Sequence, residues 1–200
     1  MSVIATVLTL TGIYFLDARV ALSVHSFLNA NPDLNKSVKR IPNLLLVAVC
    51  ASTAGLLIAY LTLRRMGNSR HTMFLRLAMV AVPAAFLVKM LLQYIFGRTS
   101  VWGWLQRGGD IEFSFFTPLS NYHSFPSGHM TVFTAFLAAV WLFYPRYRLF
   151  VIALLAILGI ALVVTNHHYL GDVISGLFCG ILVTAVTCHL IAKTDSAKSP

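Results

Sequence analysis

Charge is scarce in this chain: only 10% of its 200 residues are Asp, Glu, Lys or Arg, and just six of those are acidic. The 15 basic residues give a formal net charge of +9. They are scattered between apolar runs and form no basic tract with interleaved aromatics, which argues against a nucleic-acid partner. Cysteine is equally thin. Cys50, Cys179 and Cys188 lie inside apolar stretches with neither CxxC nor Cys/His ligand spacing, so the sequence signals no disulfide framework and no zinc site. Buried spectator thiols fit them best. A basic n-region before the first apolar run is also missing, and no small-residue cleavage pattern cleanly follows that run, so it does not read as a signal peptide.

Apolar surface is what the chain has in quantity. With 58% hydrophobic residues and a mean hydropathy of +0.80, it lies outside the soluble globular range and reads as an integral membrane protein. Runs able to cross a hydrocarbon core of about 30 Å occur near 43–63, 72–96, 128–144, 149–166 and 172–192. A sixth, near 2–16, stops at Asp17. It is either a span that continues past that charge or a half-buried N-terminal helix, and it is counted here as a span. The expected fold is therefore an all-α bundle of about six transmembrane helices. Residues 1–42 form an N-terminal span and interfacial segment, 43–192 the core, and 193–200 a cytoplasmic tail. Nothing in the 17–42 segment looks catalytic.

Basic residues cluster at three span ends: Arg64, Arg65 and Arg70; Arg146 and Arg148; Lys193 and Lys198. The positive-inside rule makes these ends cytoplasmic. Alternation then puts the 97–127 loop and the 166–171 connection together on the other face, toward the periplasm or exterior of a bacterial cell membrane. Those two connections hold most of the polar residues that apolar spans would otherwise exclude. Pro126-Ser127-Gly128-His129 opens a helix, with Ser127 available as its cap and Gly128 allowing close approach of a ligand. The free amides of a helix start suit a phosphate, although the same residues also make an ordinary loop-to-helix boundary. His168 and Asp172 are four apart and share a face on a helix, so the carboxylate can orient and charge-stabilise the imidazole. A structural polar pair has the same spacing. His167 stands five from Asp172, and its ring is expected to point elsewhere, toward the interface.

Arg98 ends a span behind Gly97 and offers a planar fork for phosphate oxygens, or else an interfacial anchor. Lys89, nine residues earlier, lies about 13 Å deeper along a helix and is long enough to snorkel up to the floor of a site. Arg107 and His123 in the 97–127 loop are possible auxiliary contacts to a charged headgroup.

PSGH at 126–129 and His168-x3-Asp172, set on about six spans, resemble the type 2 phosphatidic acid phosphatase family, whose fold extends to vanadium haloperoxidases and bacterial acid phosphatases. The resemblance covers roughly residues 60 to 190. The family pattern is K-x6-R-P, then P-S-G-H, then S-R-x5-H-x3-D. By that resemblance Ser127, Gly128 and Arg98 bind phosphate, His129 is the acid, His168 the nucleophile and Asp172 its orienting partner, with no metal or other cofactor. The implied activity is hydrolysis of a lipid phosphomonoester or diphosphate at the bilayer surface through a phosphohistidine. The chain departs from the pattern where phosphate is clamped. Ala161-Leu162 replace the third-motif Ser-Arg, and the first motif, K-x6-R-P, set with its Arg-Pro on Ser100-Val101, puts Gln93 at its lysine. Thinned clamping leaves open a lipid phosphotransferase or a catalytically impaired lipid-phosphate binding protein.

Overall fold

The computed structural model describes residues 2–31, 70–108, 110–118 and 120–197, with the isolated positions 33, 47, 51, 55, 58 and 62. Most of the expected 43–63 span, and the Arg64/Arg65 cluster, lie outside the described residues; positions 47, 51, 55, 58 and 62 are helical. The regular elements among the described residues are helices: α1 (Ser2–Thr11), α2 (Asp17–Ala30), α3 (Arg70–Phe96), α4 (Val101–Arg107), α5 (Gly128–Phe143), α6 (Arg148–Val164) and α7 (Leu170–Ser196). An isolated antiparallel bridge joins Arg98 to Phe113.

A wider π turn, Gly12–Leu16, links α1 to α2, so the N-terminal run does not stop at Asp17. It continues as one helix, Val3–Ala30, long and apolar enough to cross a membrane. Of the two expectations for this run, the helix follows the one that continues past Asp17, and residues 17–30, expected as part of an interfacial segment, belong to that helix. The physical reason is that Asp17, buried in its middle, is neutralised by a partner described below and need not reach water, while Arg19 beside it is exposed. Arg70–Phe96, Pro145–Val164 and Leu170–Ser196 also qualify as spans among the described residues. α5 has 16 residues, about 24 Å of helix and so about 6 Å short of a hydrocarbon core.

Local chemistry sets where these helices end. Gly97, at φ +51°, closes α3 in the left-handed conformation glycine favours, its N–H donating to the Gln93 carbonyl at 3.0 Å. Ser127 caps α5 by accepting from the Met130 N–H, and Pro145 follows its last turn. At the end of α6 the chain turns sharply through Asn166, a residue type that tolerates its φ of +52°.

α5 and α7 form the tightest helix pair, and small residues let them approach. A Cβ on Gly180 would lie 2.5 Å from the Thr131 carbonyl oxygen, and one on Gly176 would lie 2.7 Å from that of Ser127. The Gly176-x3-Gly180 spacing is a membrane packing device, because lipid-solvated helices gain adhesion only by close backbone contact. Thr184 adds a hydroxyl bond across the interface to the Ala135 carbonyl at 3.0 Å. Layers of Leu77, Ala78, Ala81 and Ala139, then Val82, Ala85, Val132 and Ala135, seat α3 against the same pair. At the end away from the Ser127 cap, Arg76 pairs with Asp195 at 2.8 Å and His71 hydrogen-bonds Tyr144 at 2.7 Å. Gly180→Ala is expected to force α5 and α7 apart at a cost of about 1–3 kcal/mol, read as a lowered melting temperature in detergent.

Candidate active site

Four helix ends meet at one end of the bundle: the C-termini of α3 and α6 and the N-termini of α5 and α7. The same-side placement of the two polar connections, expected from span counting, is present. The α5 start is held from two directions. Gln93 donates from Nε2 to the Pro126 carbonyl at 3.1 Å, and the Ser127 N–H donates to the Asp172 carbonyl at 3.0 Å. Opposite it, the N–H groups of His167 and His168 both donate to the Leu162 carbonyl, at 3.0 and 3.2 Å. The buried Asn166 side chain fastens this turn to α2 by donating to the Ala21 carbonyl at 3.1 Å.

Asp172 is the hub. It is the third residue of α7 and accepts from the Tyr169 N–H at 3.2 Å, the carboxylate half of a capping box at the positive end of a helix dipole. Its Oδ2 also accepts from the Ser124 hydroxyl at 2.5 Å, and its Oδ1 from Arg98 Nη1 at 2.5 Å. His168 Nδ1 stands 3.7 Å from Asp172 Oδ2 and has no hydrogen-bond partner among the described residues. That separation is an ion-pair distance outside hydrogen-bond range.

Arg98 lies deeper than the expected phosphate fork. Its side chain is 0% exposed, with Nη2 donating to Asp17 Oδ2 at 2.7 Å and Nη1 to Asp172. Its guanidinium stacks on the rings of Tyr169 at 4.3 Å and Phe113 at 5.3 Å. With both terminal nitrogens on carboxylates and two rings against it, the guanidinium braces the site from beneath, as a strut. Asp17, in the segment where nothing looked catalytic, completes this strut: its Oδ1 accepts from the Gly171 N–H at 2.9 Å. No local pattern joins residues 81 positions apart. Burial opposes the Arg98 charge, but Asp172 and Asp17 outweigh it and hold its pKa above the ordinary arginine value.

Above this strut the imidazoles converge. The His129 and His168 rings are 6.1 Å apart between centroids, and His167 joins them at 5.3 Å from His129 and 5.1 Å from His168. The expected outward orientation of His167 is therefore overturned. That expectation extrapolated helical spacing through residues 165–169, which form a turn. Burial first, and then the neighbouring His168 and His129, pull the His167 pKa down to about 3, so its ring is neutral across physiological pH. Tyr169 is shifted up, burial again being the largest cause, and keeps its proton.

Lys89 does reach the floor of the site. A Cβ on Gly128 would lie 3.0 Å from Lys89 Cδ and 3.3 Å from Nζ, so the ammonium lies against the first turn of α5, where it donates to Gln93 Oε1 at 3.2 Å. Gln93, standing where one motif reading wants lysine, and Lys89, one turn earlier on the same face, act as a pair. Arg107 is exposed, donating to the Gly103 carbonyl and lying 5.5 Å over the Tyr122 ring. His123 is half-buried in the loop before Ser124. Neither contacts the three histidines among the described residues.

If Arg98 is a strut, Arg98→Met strands two buried carboxylates, and loss of about 3–5 kcal/mol of stability is expected, seen as a lower melting temperature. Adding Asp17→Asn should restore part of it. Weakened phosphate or vanadate binding at unchanged melting temperature would instead return Arg98 to the phosphate.

Comparison with known proteins places this geometry. The family profile described as the PAP2 superfamily matches residues 84–195, which takes in α3 from its middle, the PSGH turn, the histidine cluster and nearly all of α7. A lipid A 1-phosphatase of Rhizobium johnstonii is 41% identical over 85 residues, 42% of this chain and 35% of that protein. A lipid A 1-phosphatase of Rhizobium etli is 45% identical over 87 residues, 39% of this chain and 38% of that protein. The chain thus spans well under half the length of these curated relatives. No solved structure matches it. Because the profile covers more than half of the chain, including both polar connections, the chain belongs to the PAP2 superfamily.

Proposed function

We propose that this protein is a membrane lipid phosphatase working through a phosphohistidine on His168. The observation that carries the reading is the meeting of the His129 and His168 rings, 6.1 Å apart, over a buried carboxylate and beside a capped helix N-terminus.

His168 Nε2 attacks phosphorus in line with the lipid oxygen while Asp172 holds the Nδ1 side and stabilises the charge the ring acquires. His129 gives its proton to the leaving oxygen. Now neutral, His129 takes a proton from water, the hydroxide attacks the phosphohistidine, and inorganic phosphate leaves with His168 regenerated. The Gly128 amide, the Ser127 hydroxyl and the Lys89 ammonium bind the equatorial oxygens, the electrostatic role that phosphoryl transfer demands. Strut charge assists: two carboxylates against one guanidinium leave a net negative charge under the ring that becomes cationic. Metal is not required for any of these steps.

The short α5 supports a site recessed to headgroup depth, so the apolar tails of a substrate stay in lipid. With Arg146, Arg148 and Lys193 at the opposite end of the bundle, the positive-inside rule turns the site toward the periplasm or exterior. The two relatives are named lipid A 1-phosphatases, which makes a phosphorylated saccharolipid the first substrate to test. A second reading, lipid-phosphate binding without turnover, is favoured by one observation. Leu162, at the place of the missing third-motif arginine, is buried among Met130, Leu158 and Val173 and offers no charge.

The test is phosphate release from a panel of lipid phosphates in detergent. Turnover should persist in EDTA, fall at least about 1,000-fold in His168→Ala, and fall about 100- to 10,000-fold in His129→Ala. Activity abolished by EDTA, or surviving His168→Ala, contradicts the mechanism. Binding with no turnover on any substrate selects the second reading.

A further inference from the structure

His167 has no part in the steps above, yet the fold aims it into the same cleft. One ring nitrogen each from His129, His167 and His168 can be chosen so that all three lie within 4.8 Å of one another. Some point lies within about 2.8 Å of all three such atoms, so inward movements of at most about 0.7 Å reach the zinc–imidazole bond length. Exposed histidine rings have that freedom, and these are partly held: His168 is 8% exposed, and the other two are half-buried.

Two further features suit a cation. Asp172 Oδ2, 3.7 Å from His168 Nδ1, stands in the outer position from which a carboxylate orients an imidazole ligand and raises its basicity. Beneath it, the Asp17, Arg98 and Asp172 strut carries a net negative charge. Lys89 opposes this from the Gly128 side of the cleft. Three imidazoles and no carboxylate ligand select borderline metals such as Zn2+, Co2+ and Cu2+ and reject Mg2+ and Ca2+. They also leave a fourth position open.

We infer that His129, His167 and His168 form a binding site for a transition-metal dication of the Zn2+ class, and that an ion held there blocks the enzyme. The blocking half rests on the proposed phosphatase chemistry: the metal occupies the lone pair with which His168 attacks and the nitrogen through which His129 moves its proton. Zinc and the phosphoryl group then compete for one cleft.

The experiment uses the full chain purified without a polyhistidine tag and stripped with chelator. Co2+ is titrated while its visible ligand-field absorption is followed, and Zn2+ is titrated against a chromophoric chelator. One equivalent should bind with a tetrahedral Co2+ spectrum, unaffected by excess Mg2+. His167→Ala and His167→Gln should each weaken binding on the order of 100-fold, with melting temperatures in stripped protein reporting that they are folded. In the phosphatase assay, Zn2+ should inhibit the wild type reversibly by EDTA, whereas the His167 variants should turn over without metal and resist it. Absence of a Co2+ spectrum overturns the site. So does binding that both folded His167 variants retain at full strength, which would assign the ion to His25, His71, His123 or His189. Binding at the cluster by a protein with no turnover on any lipid phosphate supports the metal site and counts against the phosphatase reading alone.

Discussion

The buried triad of Asp17, Arg98 and Asp172 is the interaction on which the rest of the site depends. Three ionised side chains, each about 0 to 1% exposed, are expensive in an apolar protein, and their mutual attraction repays desolvation only when every group is well bonded. Here nearly every group is. Asp17 also holds the Gly171 amide, Asp172 also holds Ser124 and the Tyr169 amide, and aromatic faces cover the guanidinium. The result ties the N-terminal helix, the loop after α3 and the start of α7 into one rigid corner. Asp172 is thereby fixed below His168, the preorganisation that the proposed chemistry needs.

Division of labour follows from that corner. Groups that a transferring phosphoryl would touch sit on helix termini: the α5 amides and Ser127 on one side, His168 at the threshold of α7 on the other. Groups that hold them sit one layer deeper. Arg98 belongs to the deeper layer, and Lys89, the cation assigned to phosphate in the proposed mechanism, is braced by Gln93 against the first turn of α5. The close α5–α7 contact through Gly176 and Gly180 keeps the two layers in register, because Gly176 packs directly on the Ser127 carbonyl.

Much of this was legible before the fold. Apolar runs marked α3, α5, α6 and α7 to within a few residues, and counting spans put PSGH and His168-x3-Asp172 at one end of the bundle. Pairs distant in sequence were not legible. Asp17 and Arg98 looked like an interfacial charge and a phosphate fork, because no periodicity links a residue in the first helix to one 81 positions later. His167 was misplaced for a different reason: spacing rules for helices were applied to a turn that Asn166 bends through a left-handed conformation. The lysine displaced from its motif position was readable only in part. Its shared face with Gln93 is a sequence fact, whereas its contact with Gly128 needs the packing of α3 on α5.

The central claim is that His168 forms a covalent bond to phosphorus over this charged corner. Trapping measures it directly: protein mixed with a radiolabelled lipid phosphate is quenched in alkali, digested, and the label mapped by mass spectrometry. The account predicts phosphate on His168, absent in His168→Ala and accumulating in any His129 variant that slows attack by water more than formation of the intermediate. Label on another residue, or turnover that never passes through labelled protein, would contradict it.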